Sequence, residues 1–283
     1  MFNKQKIFKY IEERHLKDGG YFFARVEPAS GLDTFLAVRT LHALGLSPKH
    51  PELIFKFWET EDTAGNLRDI TGLYFATHTL KMLDFPITAF VKYKDFLIKT
   101  YHRADFFQHK PVTLTGNTFG LTETGVASIY IDIIEGEAKS VYYLVKLLKD
   151  LHIPFDTHMA LKYVKQIRNS DGGFGSMKGS QTATTMFCLK ILNLIDNEPK
   201  NQSTTITFLQ KELHFALYLE DYYYAIRSLI LLREPILEKE KILIFLHEAY
   251  RGNGGFSRSQ FIGISSIEYT YMAVAILKAL HTI

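Results

Sequence analysis

A single cysteine, Cys188, stands in 283 residues, which excludes an internal disulfide framework and any multi-cysteine metal site. Charge of one sign is scarce as well. The chain has 33 basic and 30 acidic side chains, with no Lys/Arg run longer than two, and this excludes an electrostatic nucleic-acid binder. Long apolar runs are missing: none reaches the roughly 20 residues needed to span a bilayer. Met1 to Arg14 interleaves apolar residues with Lys and Glu, unlike a signal peptide, so a cytoplasmic location is expected. There is no Gly-x-Gly-x-x-Gly, no phosphate loop and no nucleophile elbow. The 11 histidines form no His-x-x-x-His pair, so no metal site is marked.

Aromatic residues, by contrast, are plentiful. Phe 22, Tyr 16 and Trp 1 make up 14% of the chain, enough for a bulky core or an aromatic-lined cavity.

The chain repeats with a period near forty. Asp18-Gly19-Gly20-Tyr21-Phe22, Asp171-Gly172-Gly173-Phe174-Gly175 and Asn253-Gly254-Gly255-Phe256 begin 153 and 82 residues apart. A second block follows the pattern Thr34-Phe35-Leu36-Ala37-Val38-Arg39-Thr40-Leu41. Counterparts begin at Leu73, Val141, Thr185, Tyr222 and Thr270, at steps of 39, 68, 44, 37 and 48 residues. The 68-residue step carries an insertion, the irregular stretch 102–137, where Val126 to Ile134 has the pattern of an extra helix.

Each block opens a helix-like apolar pattern and is preceded by another, as in Leu161, Val164 and Ile167. The Gly-Gly pair falls after the first helix of its unit, where a left-handed turn suits glycine. The reading is all-α: one domain over 1–283, built of six helix pairs that either open as a solenoid or close into a ring.

Gly-Gly-Phe, a short polar loop and Thr/Tyr-Tyr-x-Ala-Val-Arg-x-Leu at this period resemble the repeat shared by protein prenyltransferase β subunits and class II terpenoid cyclases. The resemblance covers nearly the whole chain and is clearest in the first, fourth and sixth units. It implies an α/α toroid of 12–13 helices, six inner and six outer, around an apolar, aromatic lumen that holds an isoprenoid chain. A hydrophobic small molecule and a partner protein subunit are the ligands it suggests.

The family's functional residues are a separate matter, because function lives in the site. Protein prenyltransferases bind zinc through Asp, Cys and His, and the ion makes the acceptor cysteine a thiolate. The aligned positions hold Gln181, Ala183 and Glu268, so zinc is disfavoured; magnesium would enter only with a bound diphosphate. Cys188 lies a turn deeper and reads as a buried apolar residue. The cyclase Asp-x-Asp-Asp motif, whose middle acid protonates an alkene, is missing. The acids to weigh in its place are Glu61 and Asp62 in Glu59-Thr60-Glu61-Asp62, Asp33, and Glu268. Against each stands a plain reading: a solvated acidic turn for Glu61 and Asp62, and a helix N-cap for Asp33.

One template position carries Arg39, His78, Lys146, Lys190 and Arg227, broken only by Ala275. Such a column suits either a diphosphate in the lumen or a solvated polar stripe. The aromatics expected to line the lumen come from Phe35, Tyr74, Tyr142, Tyr143, Phe187, Tyr222, Tyr223, Tyr224, Tyr269 and Tyr271. Successive helical residues point about 100° apart, so only some of these face inward.

Three functions fit this pattern. One is an isoprenoid cyclase or prenyl transferase. Another is a non-catalytic ring that binds a prenyl chain or a partner subunit, for which a narrow lumen would argue. The last is a carbohydrate-active α/α-barrel enzyme with two facing carboxylates.

Overall fold

The computed structural model describes residues 2–103, 123–176, 179–199 and 201–283, with the side chains of 123–136 and of Ser176 left aside. Twelve α-helices are present among these residues: α1 (Lys4–Glu12), α2 (Gly31–Ala43), α3 (Pro51–Thr63), α4 (Ile70–Met82), α5 (Lys94–Tyr101), α6 (Glu123–Asp150), α7 (His158–Gln166), α8 (Thr182–Leu194), α9 (Gln202–His214), α10 (Leu219–Leu231), α11 (Lys239–Ala249) and α12 (Ile267–Ala279). A 3-10 segment, Thr88–Tyr93, leads into α5. The strand pair Gly175–Ser176 and Gly179–Ser180 forms a two-stranded hairpin.

The six even-numbered helices close a ring. α2 packs on α4, α4 on α6, α6 on α8, α8 on α10, α10 on α12, and α12 returns to α2. Of the two architectures open to stacked helix pairs, the closed one is formed. Odd-numbered helices sit outside: α1 packs on α2, α5 on α6, α7 on α8, and α9 on α10. The inner helices are covered by protein on several sides, so α12 buries nine residues from Ile267 to Leu277. That leaves little amphipathic signature, whereas an outer helix such as α1 buries only the stripe Ile7, Tyr10 and Ile11.

Of the expected irregular stretch 102–137, residues 104–122 lie outside the described residues. From Glu123 the chain already belongs to α6, so Val126 to Ile134 is part of that 28-residue helix rather than an element of its own.

The Gly-Gly-aromatic turn ties neighbouring units together. Gly19, Gly172 and Gly254 have φ of +95°, +90° and +95°. A Cβ on Gly19 would lie 2.1 Å from the Leu53 carbonyl oxygen, one on Gly172 2.4 Å from the Thr204 carbonyl carbon, and one on Gly254 2.3 Å from the Lys6 oxygen. Each turn is thus pressed onto the next unit's outer helix, and Gly254 on α1 joins the last unit to the first. The backbone N–H groups of Tyr21, Phe174 and Phe256 donate to the hydroxyls of Thr34, Thr185 and Thr270 at 2.9, 3.0 and 3.1 Å. This explains a covariation inside the repeat: the units whose inner block opens with Thr are the three that carry Gly-Gly.

The inner helices end alike. Gly45, Asp84, His152, Asp196, Arg233 and His281 all take a left-handed conformation. The next residue's N–H then donates to a carbonyl five positions back, as in Leu46 to Leu41 at 2.9 Å and Thr282 to Leu277 at 3.0 Å. This C-cap satisfies otherwise orphaned helix carbonyls.

Candidate functional site

The closed ring leaves a lumen along its axis. Counting from the first residue of each inner block, lumen-lining side chains come from two positions before it and from one, two and five after it, the spacing of a single helix face. The positions one and two after form an aromatic collar. It includes Phe35, Tyr74, Tyr142, Tyr143, Phe187, Tyr223, Tyr224 and Tyr271, with Leu36, Met186 and Met272 filling the gaps. Two expected aromatics belong elsewhere. Tyr222 turns outward against Phe245 of α11, with ring centres 4.6 Å apart, and Tyr269 is not among the lining residues.

The collar is tight. Tyr74 and Tyr143 stack with centroids 3.7 Å apart, and the Tyr223 and Tyr271 hydroxyls share a hydrogen bond of 3.2 Å. The free space within the collar is about 60 Å³, room for a few water molecules and far below a small-molecule pocket. Burial pushes the phenols of Tyr74, Tyr142, Tyr143 and Tyr271 up, so they are neutral at physiological pH.

One helical turn below the collar lies the basic column: Arg39, His78, Lys146, Lys190 and Arg227. It divides into two halves. On the α4–α6 side, Asp150 accepts from Lys146 at 2.5 and 2.6 Å and from Lys81 at 2.9 Å. His78 Nε2 lies 3.2 Å from the same carboxylate, but burial pushes its pKa down to about 3, so it is a neutral imidazole at pH 7. Burial opposes the charge of Asp150, yet its bonds to Lys146 and Lys81 win and hold its pKa below the usual range.

On the opposite side, Arg39, Lys190 and Arg227 have no acidic partner among the described residues. The Arg39 guanidinium sits 4.6 Å from the Tyr271 ring centre and 5.4 Å from that of Phe35. Lys190 Nζ lies 5.0 Å from Tyr142 and 5.3 Å from Phe187. These are cation–π distances. Burial, and then the charges of Arg39 and Arg227, push the Lys190 pKa well down. Arg227 Nε is buried with no hydrogen-bond partner.

The acids lie apart from this layer. Glu268 lines the mouth formed by the inner-helix N-termini, near Lys139. Its side chain is open to the cavity while protein surrounds it on most sides. That burial pushes its pKa up, Lys139 opposing and Glu220 adding to the shift. Asp33 is buried behind the lining, and its Oδ2 accepts from the Phe23 N–H at 3.3 Å. Burial raises its pKa, the Phe23 bond counters this, and Glu268 adds to the rise. The N-cap of α2 is Ser30, whose Oγ accepts from the Asp33 N–H, so Asp33 is not the cap. Glu61 and Asp62 are on outer helix α3, away from the lumen lining. Glu61 accepts from Asn66, and Asp62 binds Lys92 and Tyr93.

Gln181 caps α8 from an extended conformation, and its amide oxygen accepts from the Thr184 hydroxyl at 2.9 Å. Ala183 is the second residue of α8 and Glu268 is the second residue of α12. An amide, a methyl and a carboxylate do not supply the thiolate and imidazole donors that zinc takes at such a site. Among the described residues, no group of three His, Cys, Asp or Glu is placed to hold a metal ion. No helix among them is long and apolar enough to cross a membrane.

Comparison with known proteins places this architecture. The family description "prenyltransferase alpha-alpha toroid domain" matches residues 2–217 and 201–283. The chain belongs to the prenyltransferase α/α-toroid family. Among solved structures, Candida albicans protein geranylgeranyltransferase-I complexed with GGPP is similar, with a TM-score of 0.68 at 13% identity, over 98% of this chain and 91% of that one. At that identity the likeness concerns the fold. No curated protein sequence matches the chain.

Proposed function

We propose that this toroid is a binding module for a prenyl diphosphate, with the chain in the aromatic collar and the diphosphate on the basic layer beneath it. The observation that carries this reading is the juxtaposition of Tyr74, Tyr142, Phe187, Tyr223 and Tyr271 with two guanidinium cations, Arg39 and Arg227, that have no acidic partner among the described residues, and with Lys190, an amine that gains a charge beside an anion. Uncompensated charge in a desolvated layer is costly, and a polyanion with several acceptor oxygens relieves it. The collar supplies the complementary apolar surface for the chain.

The same cations argue against the cyclase reading, because a carbocation generated in the collar would form beside like charges. Gln181, Ala183 and Glu268 leave zinc-dependent transfer to a thiolate without its ligands. Paired catalytic carboxylates are not found in the described lumen lining, where Glu268 is the acid present.

Titration calorimetry with geranyl, farnesyl and geranylgeranyl diphosphates tests the proposal, with product formation followed separately. Saturable binding without turnover is expected. Failure of all three to bind would refute it, and cyclised product lost in Glu268→Gln would favour a cyclase instead.

A further inference from the structure

Large apolar residues are left exposed unevenly over the surface. Among the described residues there are twelve, and eight of them lie in the segments that lead into α10, α12 and α2 or in the first turn of α2. Those three helices are consecutive in the ring, so the eight form one arc on the rim made by the inner-helix N-termini. At the opposite end of the ring, only Ile230 and Leu237 are exposed in this way among the described residues. Scattered single exposures are ordinary on a protein surface, whereas a concentration of this kind marks a contact surface.

The most exposed tips are Phe261 at 85%, Ile264 at 71%, Leu217 at 70% and Phe215 at 67%. The loop that carries Phe261 and Ile264 is braced at its base. Arg251 donates from Nε to the Ser257 hydroxyl and from a terminal nitrogen to the Ser259 and Gln260 carbonyls, each at 2.9 Å. The Ser259 hydroxyl accepts from the Ile262 N–H at 3.1 Å. The neighbouring loop is tied on by the Leu219 N–H, which donates to the Arg258 carbonyl at 3.0 Å. A loop fixed in this way holds its apolar tips out in water, which costs free energy until something covers them.

Charge identifies the cover. Residues 215–218 and 259–266 contain no charged side chain, and residues 22–30 contain only Arg25 and Glu27. Behind the tips, Arg258 stacks over Tyr218 at 4.1 Å and binds Glu220 at 2.5 Å, and Arg25 binds Glu13 at 2.8 Å. Uncharged apolar tips backed by tyrosine and arginine complement the two layers of a lipid surface, acyl chains for the tips and phosphates for the cations. A protein partner would need a pocket matched to each separate loop, while a fluid acyl layer takes the tips at any spacing.

We propose that this rim docks on the surface of a lipid bilayer, with Phe215, Leu217, Phe261 and Ile264 in the acyl boundary and Arg25 and Arg258 at the level of the lipid phosphates. The proposal stands on the rim alone and does not depend on what the lumen holds.

The test is flotation of the full chain with vesicles of phosphatidylcholine, alone and with added phosphatidylserine. Because both arginines already have carboxylate partners, attachment rests mainly on the apolar tips. It should therefore occur on both vesicles and persist at high salt. Phe261→Ser and Leu217→Ser should each weaken it about tenfold. Ile244→Ser, an equal change at an exposed position of outer helix α11, should leave it unchanged. All three positions are exposed, so the variants should fold. Trp58, the one native tryptophan, is buried in α3, so Phe261→Trp adds a second readout: its emission should shift to the blue with vesicles while that of wild type does not. Absence of flotation with either vesicle, attachment that high salt removes, or wild-type attachment of Phe261→Ser or Leu217→Ser overturns the proposal. A concentration-dependent dimer that Phe261→Ser abolishes, without vesicle binding, would overturn it too and assign the rim to a second copy of the chain.

Discussion

Replacing Gly172 by alanine tests whether the Gly-Gly turn is a joint between units or only a loop. Gly172 has φ +90°, and its added Cβ would lie 2.4 Å from the Thr204 carbonyl carbon and 2.5 Å from the Thr205 nitrogen. Both atoms are backbone of α9, so no side-chain rotation relieves the contact. Gly45 is the natural control: it too has positive φ, +71°, but nothing lies within 4 Å of its added Cβ. The conformational penalty, about 1 kcal/mol, is common to both substitutions. Overpacking adds about 2 kcal/mol at Gly172 alone. Gly172→Ala should therefore destabilise by about 3 kcal/mol and Gly45→Ala by about 1 kcal/mol. At this chain length that corresponds to Tm losses of about 6 °C and about 2 °C. Urea unfolding followed by far-UV circular dichroism measures both. Equal losses in the two variants would refute the claim that the turn is pressed against α9.

Asp150→Asn should destabilise by about 2 kcal/mol, since it strands Lys146 and Lys81 around a largely buried site. Because the folded pKa of Asp150 is depressed, its contribution is present above the ordinary carboxylate value and is lost as pH falls through the folded one. A variant whose acid-unfolding profile matches wild type would contradict this. Lys190, whose pKa burial pushes down, should take up a proton when a prenyl diphosphate binds. Calorimetry in buffers of different ionisation enthalpy reads that uptake, and Lys190→Met should abolish it while raising Tm. Cys188 is fully buried in α8 with its thiol pKa pushed up by that burial, so a thiol reagent should modify it only as fast as the protein unfolds. Rapid stoichiometric labelling of the native protein would be inconsistent with the packing.

The repeat was legible because its signals are local. Glycine at a positive φ, an aromatic after it and a threonine thirteen or so residues on recur wherever the same turn is built. The C-caps were not, since five of the six left-handed positions, from Asp84 to His281, are not glycine, and the hydrogen bond that closes each cap rather than residue type distinguishes them. The basic column was visible as a column, but its two alternatives could not be separated from spacing. Asp150 decides the matter for Lys146, and its own role depends on α4 and α6 lying side by side. The acids show the same limit. Glu61 and Asp62 match a motif in type but are carried on an outer helix, and Asp33 is sealed behind the lining by Phe23 and Ser30.

What the sequence determined by itself is the all-helical class, the six units and the turn that joins them, because helix periodicity and glycine stereochemistry act over a few residues. Which aromatics face one another was decided only in the closed ring, where Tyr222 turns to α11 while Tyr223, one residue on, meets Tyr271 from a helix 48 residues away in the chain. Charge pairing was decided there too. Lys146 and Arg227 hold the same template position, but only the neighbours brought by the fold give one a carboxylate and leave the other without.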